Sequence, residues 1–185
     1  MFERFTEAAR SVVKGAVEHA ERERAERVDE GHLLLALLDR RGSRGAFVLD
    51  ALGAGDEGRR AAIGQAVGVA RRRAGLSRAD TEALAEFGID VDEIVTRVEQ
   101  AHGVGVLTGG RKLGGRRTFT REAKKVLESS LKVALAHGDR AIGDQHLLLA
   151  LASRPGMASE ALAGHGVTVE GIERVLYGGG EAAAS

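Results

Sequence analysis

The hexapeptide His-Leu-Leu-Leu-Ala-Leu occurs twice, at residues 32–37 and again at 146–151, 114 positions later. At the same offset Phe5-Thr6 matches Phe119-Thr120, Ala9 matches Ala123, Val12 matches Val126 and Ala20 matches Ala134, while Val13 and Val17 become Leu127 and Leu131. A register this long without a gap marks a duplicated unit, and duplication constrains the architecture before any single residue is read. The repeated block is apolar nearly all round, and a helix of that kind is buried on most sides. The chain is therefore expected to fold around two leucine helices, one per copy.

Each copy reads as four helices. Thr6 and Thr120 stand where an N-cap hydroxyl accepts an unpaired amide. Behind them Ala9, Val12, Val13, Ala16, Val17 and Ala20, and then Ala123, Val126, Leu127, Leu131 and Ala134, follow the i, i+3, i+4, i+7 rule of an amphipathic helix. Asp29 or Glu30 is expected to cap the first leucine helix and Asp144 the second. A short helix with Ala46, Leu49 and Leu52 stops at Gly53, and its counterpart with Ala161 and Leu162 stops at Gly166. The fourth helix carries Ile63, Val67 and Ala70 in one copy, and Val169, Ile172, Val175 and Leu176 in the other. The expected fold class is all-α: two tandem four-helix repeats, residues 1–73 and 119–177, with an extra helical insert between them at 74–107.

The insert has its own signature. Phe87-Gly88-Ile89-Asp90-Val91-Asp92-Glu93-Ile94 mirrors His165-Gly166-Val167-Thr168-Val169-Glu170-Gly171-Ile172, a third instance of a glycine, an apolar residue and a capped helix. It predicts a helix over about 92–102 preceded by a short one near 80–86. Residues 108–118 read as a Gly/Arg-rich connector, and 178–185 as a disordered tail.

Composition narrows the function classes. Acids and bases balance at 27 each, so neither a strongly basic nucleic-acid binder nor an acidic tail is indicated. The clusters Arg71-Arg72-Arg73 and Arg111-Lys112 through Arg116-Arg117 lack the aromatic platforms or reading helix that nucleic-acid recognition uses, and read as a solvated helix end and a linker. A regulator binding nucleic acid through these clusters is the alternative reading. There is no cysteine, the opening Met-Phe-Glu-Arg lacks the apolar core of a leader, and no apolar run approaches the ~20 residues that span a bilayer. A cytoplasmic protein without membrane contact is expected. No cofactor or metal is implied: His32 and His146 lack further ligands at metal spacing and are expected to hydrogen-bond the adjacent turn. No nucleophile–base pattern suggests an enzyme.

These residues resemble a known family. Phe2-Glu3-Arg4-Phe5-Thr6, the paired Phe-Thr openings and the two His-Leu-Leu-Leu-Ala-Leu helices are similar to the amino-terminal domain of Clp/Hsp100 unfoldases, the ClpC and ClpA type above all. The resemblance implies two four-helix repeats about a pseudo-two-fold axis. It also implies a domain that docks protein substrates and adaptors for ATPase rings feeding a peptidase, and that receives cyclic-peptide antibiotics. By resemblance Phe2, Arg10, Phe119 and Lys124 map onto the face that receives peptides and such antibiotics. No G-x-x-x-x-G-K-[ST] phosphate loop occurs in these residues, so a recognition domain without the ATPase module is expected. Expected partners are Clp ATPase or protease components, substrates or adaptors, or cyclic-peptide ligands sequestered by a decoy. In relatives that bind phosphoarginine, a Glu before each repeated His helps hold the guanidinium. Here those positions are Gly31 and Gln145, with Glu30 and Asp144 beside them, which predicts weak or absent phosphoarginine binding.

Overall fold

The computed structural model describes residues 2–73, 76–104, 107 and 117–178, Phe2 by its backbone alone. A 3₁₀ turn (Phe2–Arg4) leads into α1 (Glu7–Arg22), α2 (Glu30–Leu38), α3 (Arg44–Ala51) and α4 (Glu57–Arg72). The insert contributes α5 (Arg78–Glu86) and α6 (Val91–His102). The second copy follows as α7 (Arg121–Ala136), α8 (Asp144–Ser153), α9 (Met157–Ala163) and α10 (Val169–Tyr177). Thr6 and Thr120 cap α1 and α7 in the same way, their hydroxyls accepting from the amides of Ala9 (3.2 Å) and Ala123 (3.1 Å).

The two copies are interlocked by short parallel backbone pairings. β1 (Arg27–Val28) precedes α2 and pairs with β2 (Thr118–Phe119), which precedes α7. Phe5, ahead of α1, forms the same kind of bridge with Ile142, ahead of α8. Adding 114 to Phe5 and Val28 gives Phe119 and Ile142, so the two pairings are images of one another under exchange of the copies. Their hydrogen bonds repeat the exchange: Thr6 N–H donates to Ile142 O at 2.9 Å, and Thr120 N–H to Val28 O at 2.8 Å. This is the expected pseudo-two-fold, made visible by strands too short for period-two patterning to reveal.

The core lies where the leucine helices meet. Leu33, Leu34, Leu37, Leu147, Leu148 and Leu151 are buried, and α2 packs on α8. Each fully buried leucine contributes roughly 1.5–3 kcal/mol. Two capping expectations are refined. Asp29, not Glu30, caps α2, accepting from the His32 amide at 2.9 Å. Asp144 does not cap α8: Gly143 is the N-cap, and the buried Asp144 carboxylate instead accepts the Gly45 amide of α3, in the other copy, at 3.2 Å. The insert hairpin is tied to the body by a two-pronged Arg73–Asp92 pair (2.8 and 2.9 Å) and by the Arg78 amide donating to Glu160 at 3.2 Å. The connector residues 108–116, including Arg111, Lys112 and Arg116, and the tail beyond 178 lie outside the described residues. Among the described residues no helix is long and apolar enough to cross a membrane.

Candidate functional site

The α7 helix carries more apolar surface than its packing consumes. Ala123, Val126, Leu127 and Ala134 are buried in the core, and Leu127 also begins a second row at i, i+4, i+8 that continues through the half-buried Leu131 to the exposed Leu135 along the flank. The segment 3–5 runs beside that row, fixed by the Phe5–Ile142 bridge and by the Ile142 amide donating to Arg4 O at 2.7 Å. Between them lies a groove of about 530 Å³. Phe5, Leu127, Leu131, Leu135 and Ile142 supply its apolar lining, and Glu3, Arg4, Glu128 and Lys132 its rim. Leu135 at the outer end is 59% exposed. Two acids and two bases on the rim leave it without a dominant sign. The apolar lining can take up hydrophobic side chains while the rim meets polar backbone at the edge.

The first copy lacks an equivalent row. The residues matching Leu127, Leu131 and Leu135 are Val13, Val17 and Glu21, so α1 ends its apolar flank in a charge. The leucine row of the groove is thus a property of one copy, although the backbone is duplicated.

Of the residues singled out by resemblance, those whose side chains are described do not line this groove. Phe119 sits half-buried in β2 against the core, as the counterpart of the groove's Phe5. Arg10 and Lys124 are equivalent positions on α1 and α7; both are exposed, and neither lines the groove. The side chain of Phe2 lies outside the described residues. Glu128, Lys132 and Leu135 carry no sequence signal beyond the leucine row. That row, one face too many for a helix already supplied with a core-facing stripe, was the cue available.

The two histidines do identical backbone work and sit in different charge environments. Both are fully buried, and each ring Nδ1 accepts the N-cap amide of its helix at 3.0 Å, from Asp29 and from Gly143. His32 Nε2 lies 3.3 Å from Glu23 Oε2, and the Asp29 carboxylate is 2.8 Å from its Nδ1. Burial works against the imidazolium, but the two carboxylates outweigh it and raise the His32 pKa. His146 has only Asp139, at 2.9 Å, and there burial prevails and lowers the pKa.

Arg71 fills the corner beside Gly31. Its guanidinium is held by both Asp29 oxygens (2.8 and 2.9 Å) and by Glu23. Asp29 loses some of its ionisation preference to burial, but hydrogen bonds from His32 and Arg71 push its pKa well below the usual carboxylate range. A Cβ on Gly31 would stand 2.6 Å from Arg71 Nη2, 2.7 Å from Val67 Cγ1 and 3.0 Å from Met157 Sδ. A glutamate at residue 31 would therefore have to displace the Arg71 guanidinium together with Val67 and Met157. Glu30, half-buried beside α9, has its pKa raised, first by burial and then by the nearby Asp29 and Glu122 charges. In the second copy Gln145 is buried against His146, and Asp144 is committed to Gly45.

The sequence matches the model of the Clp repeat (R) N-terminal domain over residues 4–79 and 118–182. Solved structures share the fold at low identity. The Hsp104 N-terminal domain from Candida albicans superposes with a TM-score of 0.54 at 18% identity, covering 96% of this chain and 93% of that one. The N-terminal domain of the caseinolytic-protease-associated chaperone ClpD from Arabidopsis thaliana gives 0.53 at 17%, covering 93% and 91%. A structure from a malarial protein secretion system gives 0.62 at 13%, covering 98% and 97%.

Proposed function

The chain belongs to the Clp repeat N-terminal domain family, and we propose that it is a non-catalytic recognition module whose α7 groove receives apolar segments of polypeptides. The groove itself carries this reading: a leucine row on α7, open to solvent at Leu135 and flanked by mixed charges. The fold and the family favour unfolded substrates, adaptor proteins and Clp ATPase or protease components as the partners. The volume and apolar lining of the groove, within the ~300–1,000 Å³ range of ligand sites, also favour compact apolar cyclic peptides. In that variant the protein acts as a decoy for such ligands. Phosphoarginine is a poor guest in this reading, since Arg71 already satisfies the acids of the first copy and Gln145 brings no charge to the second. The nucleic-acid alternative draws little support, because Arg71 and Arg73 are consumed in ion pairs.

Fluorescence anisotropy with a labelled, permanently unfolded polypeptide tests the proposal. The native chain should bind it, and Leu135→Glu, which copies Glu21 of the first repeat, should weaken binding at least about tenfold. Because Leu135 is mostly solvated, the fold should be unaffected. Unchanged affinity would contradict the assignment. Competition by an apolar cyclic peptide would add the decoy role to it.

A further inference from the structure

The α5–α6 hairpin is a third copy of a unit that the body uses twice. In each instance a helix ends on a glycine in the left-handed region: Gly53 (φ 76°), Gly88 (φ 77°) and Gly166 (φ 80°). The chain then turns back with the same pair of hydrogen bonds. In α5–α6 these run from Gly88 N to Ala85 O and from Ile89 N to Leu84 O; in α9–α10, from Gly166 N to Ala163 O and from Val167 N to Leu162 O. Shifted by 78 residues, Leu84, Ile89, Val91, Ile94 and Val98 become Leu162, Val167, Val169, Ile172 and Leu176.

Their environments differ. Leu162, Val167 and Ile172 are buried at 0–1% exposure, because α8 packs against both α9 and α10. In the insert Ile89 is 39% and Ile94 49% exposed, and Phe87 stands 82% in solvent. Val91, Ile94, Val95 and Val98 keep helical stripe spacing, yet only Val91 of the two insert helices is buried. The hairpin therefore keeps largely exposed the apolar face that α8 closes in its relative.

Charge specifies the missing piece. Residues 76–104 contain seven Asp or Glu against two Arg, whereas the rest of the chain holds 25 Lys or Arg against 20 Asp or Glu. Two copies of the hairpin facing each other would oppose like charges, which disfavours self-association. An apolar helix flanked by lysine or arginine would meet complementary charge at the rim and complementary shape at the stripe.

We propose that α5–α6 is a docking face for one cationic amphipathic helix of a partner protein, seated as α8 is seated on α9–α10. This surface is separate from the α7 groove. Isothermal titration of the full chain with a synthetic helical peptide, leucine at i, i+3, i+4, i+7 and lysine elsewhere, tests it. Binding is expected, and it should weaken as salt is raised. Phe87→Ser with Ile94→Ser, and separately Glu86→Lys with Glu93→Lys, should each reduce affinity at least about tenfold. Leu135→Glu should not change it. All four hairpin positions are exposed, and circular dichroism should report intact helices. Three results would each overturn the proposal: equal binding of a leucine/glutamate peptide, indifference to both hairpin variants, or loss through Leu135→Glu alone. A native dimer that the serine variant dissociates would also overturn it, by assigning the face to a second copy.

Discussion

The two repeats share a backbone and differ in what fills the corner behind each buried histidine. In the first, α4 extends 16 residues and delivers Arg71 onto Asp29 and Glu23, and a side chain at Gly31 would crowd that guanidinium, Val67 and Met157. In the second, α10 has 9 residues, no ion pair from an arginine to Asp139 occurs among the described residues, and Gln145 places a neutral amide beside His146. On the outer flank the imbalance reverses: α7 keeps its leucine row where α1 ends in Glu21. Duplication thus supplied one scaffold, and divergence gave one copy the arginine-centred ion-pair cluster and the other the leucine row of the proposed recognition groove.

Removing the anchor should have the largest effect. Arg71→Ala leaves Asp29 and Glu23 facing each other without their cation, and is expected to cost roughly 2–4 kcal/mol, since breaking a largely buried pair strands a charge. Denaturant unfolding would measure it. An effect below about 1 kcal/mol would reduce the cluster to surface decoration. Next, Gly31→Glu should destabilise by about 1–3 kcal/mol through overpacking against Arg71, Val67 and Met157, without gaining phosphoarginine affinity by calorimetry. Combined with Arg71→Ala, the same glutamate should lose only the Arg71 part of the clash, Val67 and Met157 still crowding it, and some phosphoarginine affinity should appear by calorimetry. Recovery in the single variant would show that the space is not self-occupied.

A smaller effect should come from imposing one flank on the other. Glu21→Leu extends the α1 row as Leu135 extends that of α7. It is expected to add a second, weaker site for unfolded polypeptide, read as a change in stoichiometry with stability altered by less than about 0.5 kcal/mol. The smallest effect is spectroscopic. By NMR, His32 should titrate above the ordinary imidazole value of ~6.5 and His146 below it. The stability that His32 gains from its charge is complete below the unfolded-state pKa and is lost as pH rises through the folded one. For His146 the sign reverses: its neutral form favours folding, and that contribution fades as pH falls below the unfolded-state value. Coincident midpoints would remove the contrast.

Much of this contrast was legible in the residues. The 114-residue offset located both leucine helices and the pairs Thr6/Thr120 and Phe5/Phe119, and the glycine-turn signature located α5–α6. What escaped was long-range. The pairing of Val28 with Phe119 joins residues 91 apart through strands of two residues, which leave no periodicity. Asp144 stands in a helix N-terminal position by sequence, and only the fold shows its carboxylate turned to Gly45 of the other copy. Arg71 looked like one of three solvated arginines, because its partners lie 42 and 48 residues away. The groove was half visible: Leu127 and Leu131 belonged to a recognised apolar face, but nothing local distinguished leucines that fill a core from leucines that line an opening.

Methyl NMR on leucine-labelled protein, titrated with a permanently unfolded polypeptide, tests the central claim most directly. Shifts concentrated at Leu127, Leu131 and Leu135, with Leu33, Leu34 and Leu37 of α2 unmoved, are the predicted result. Perturbation that spares those three α7 leucines while others respond would place recognition elsewhere on the molecule and contradict the account.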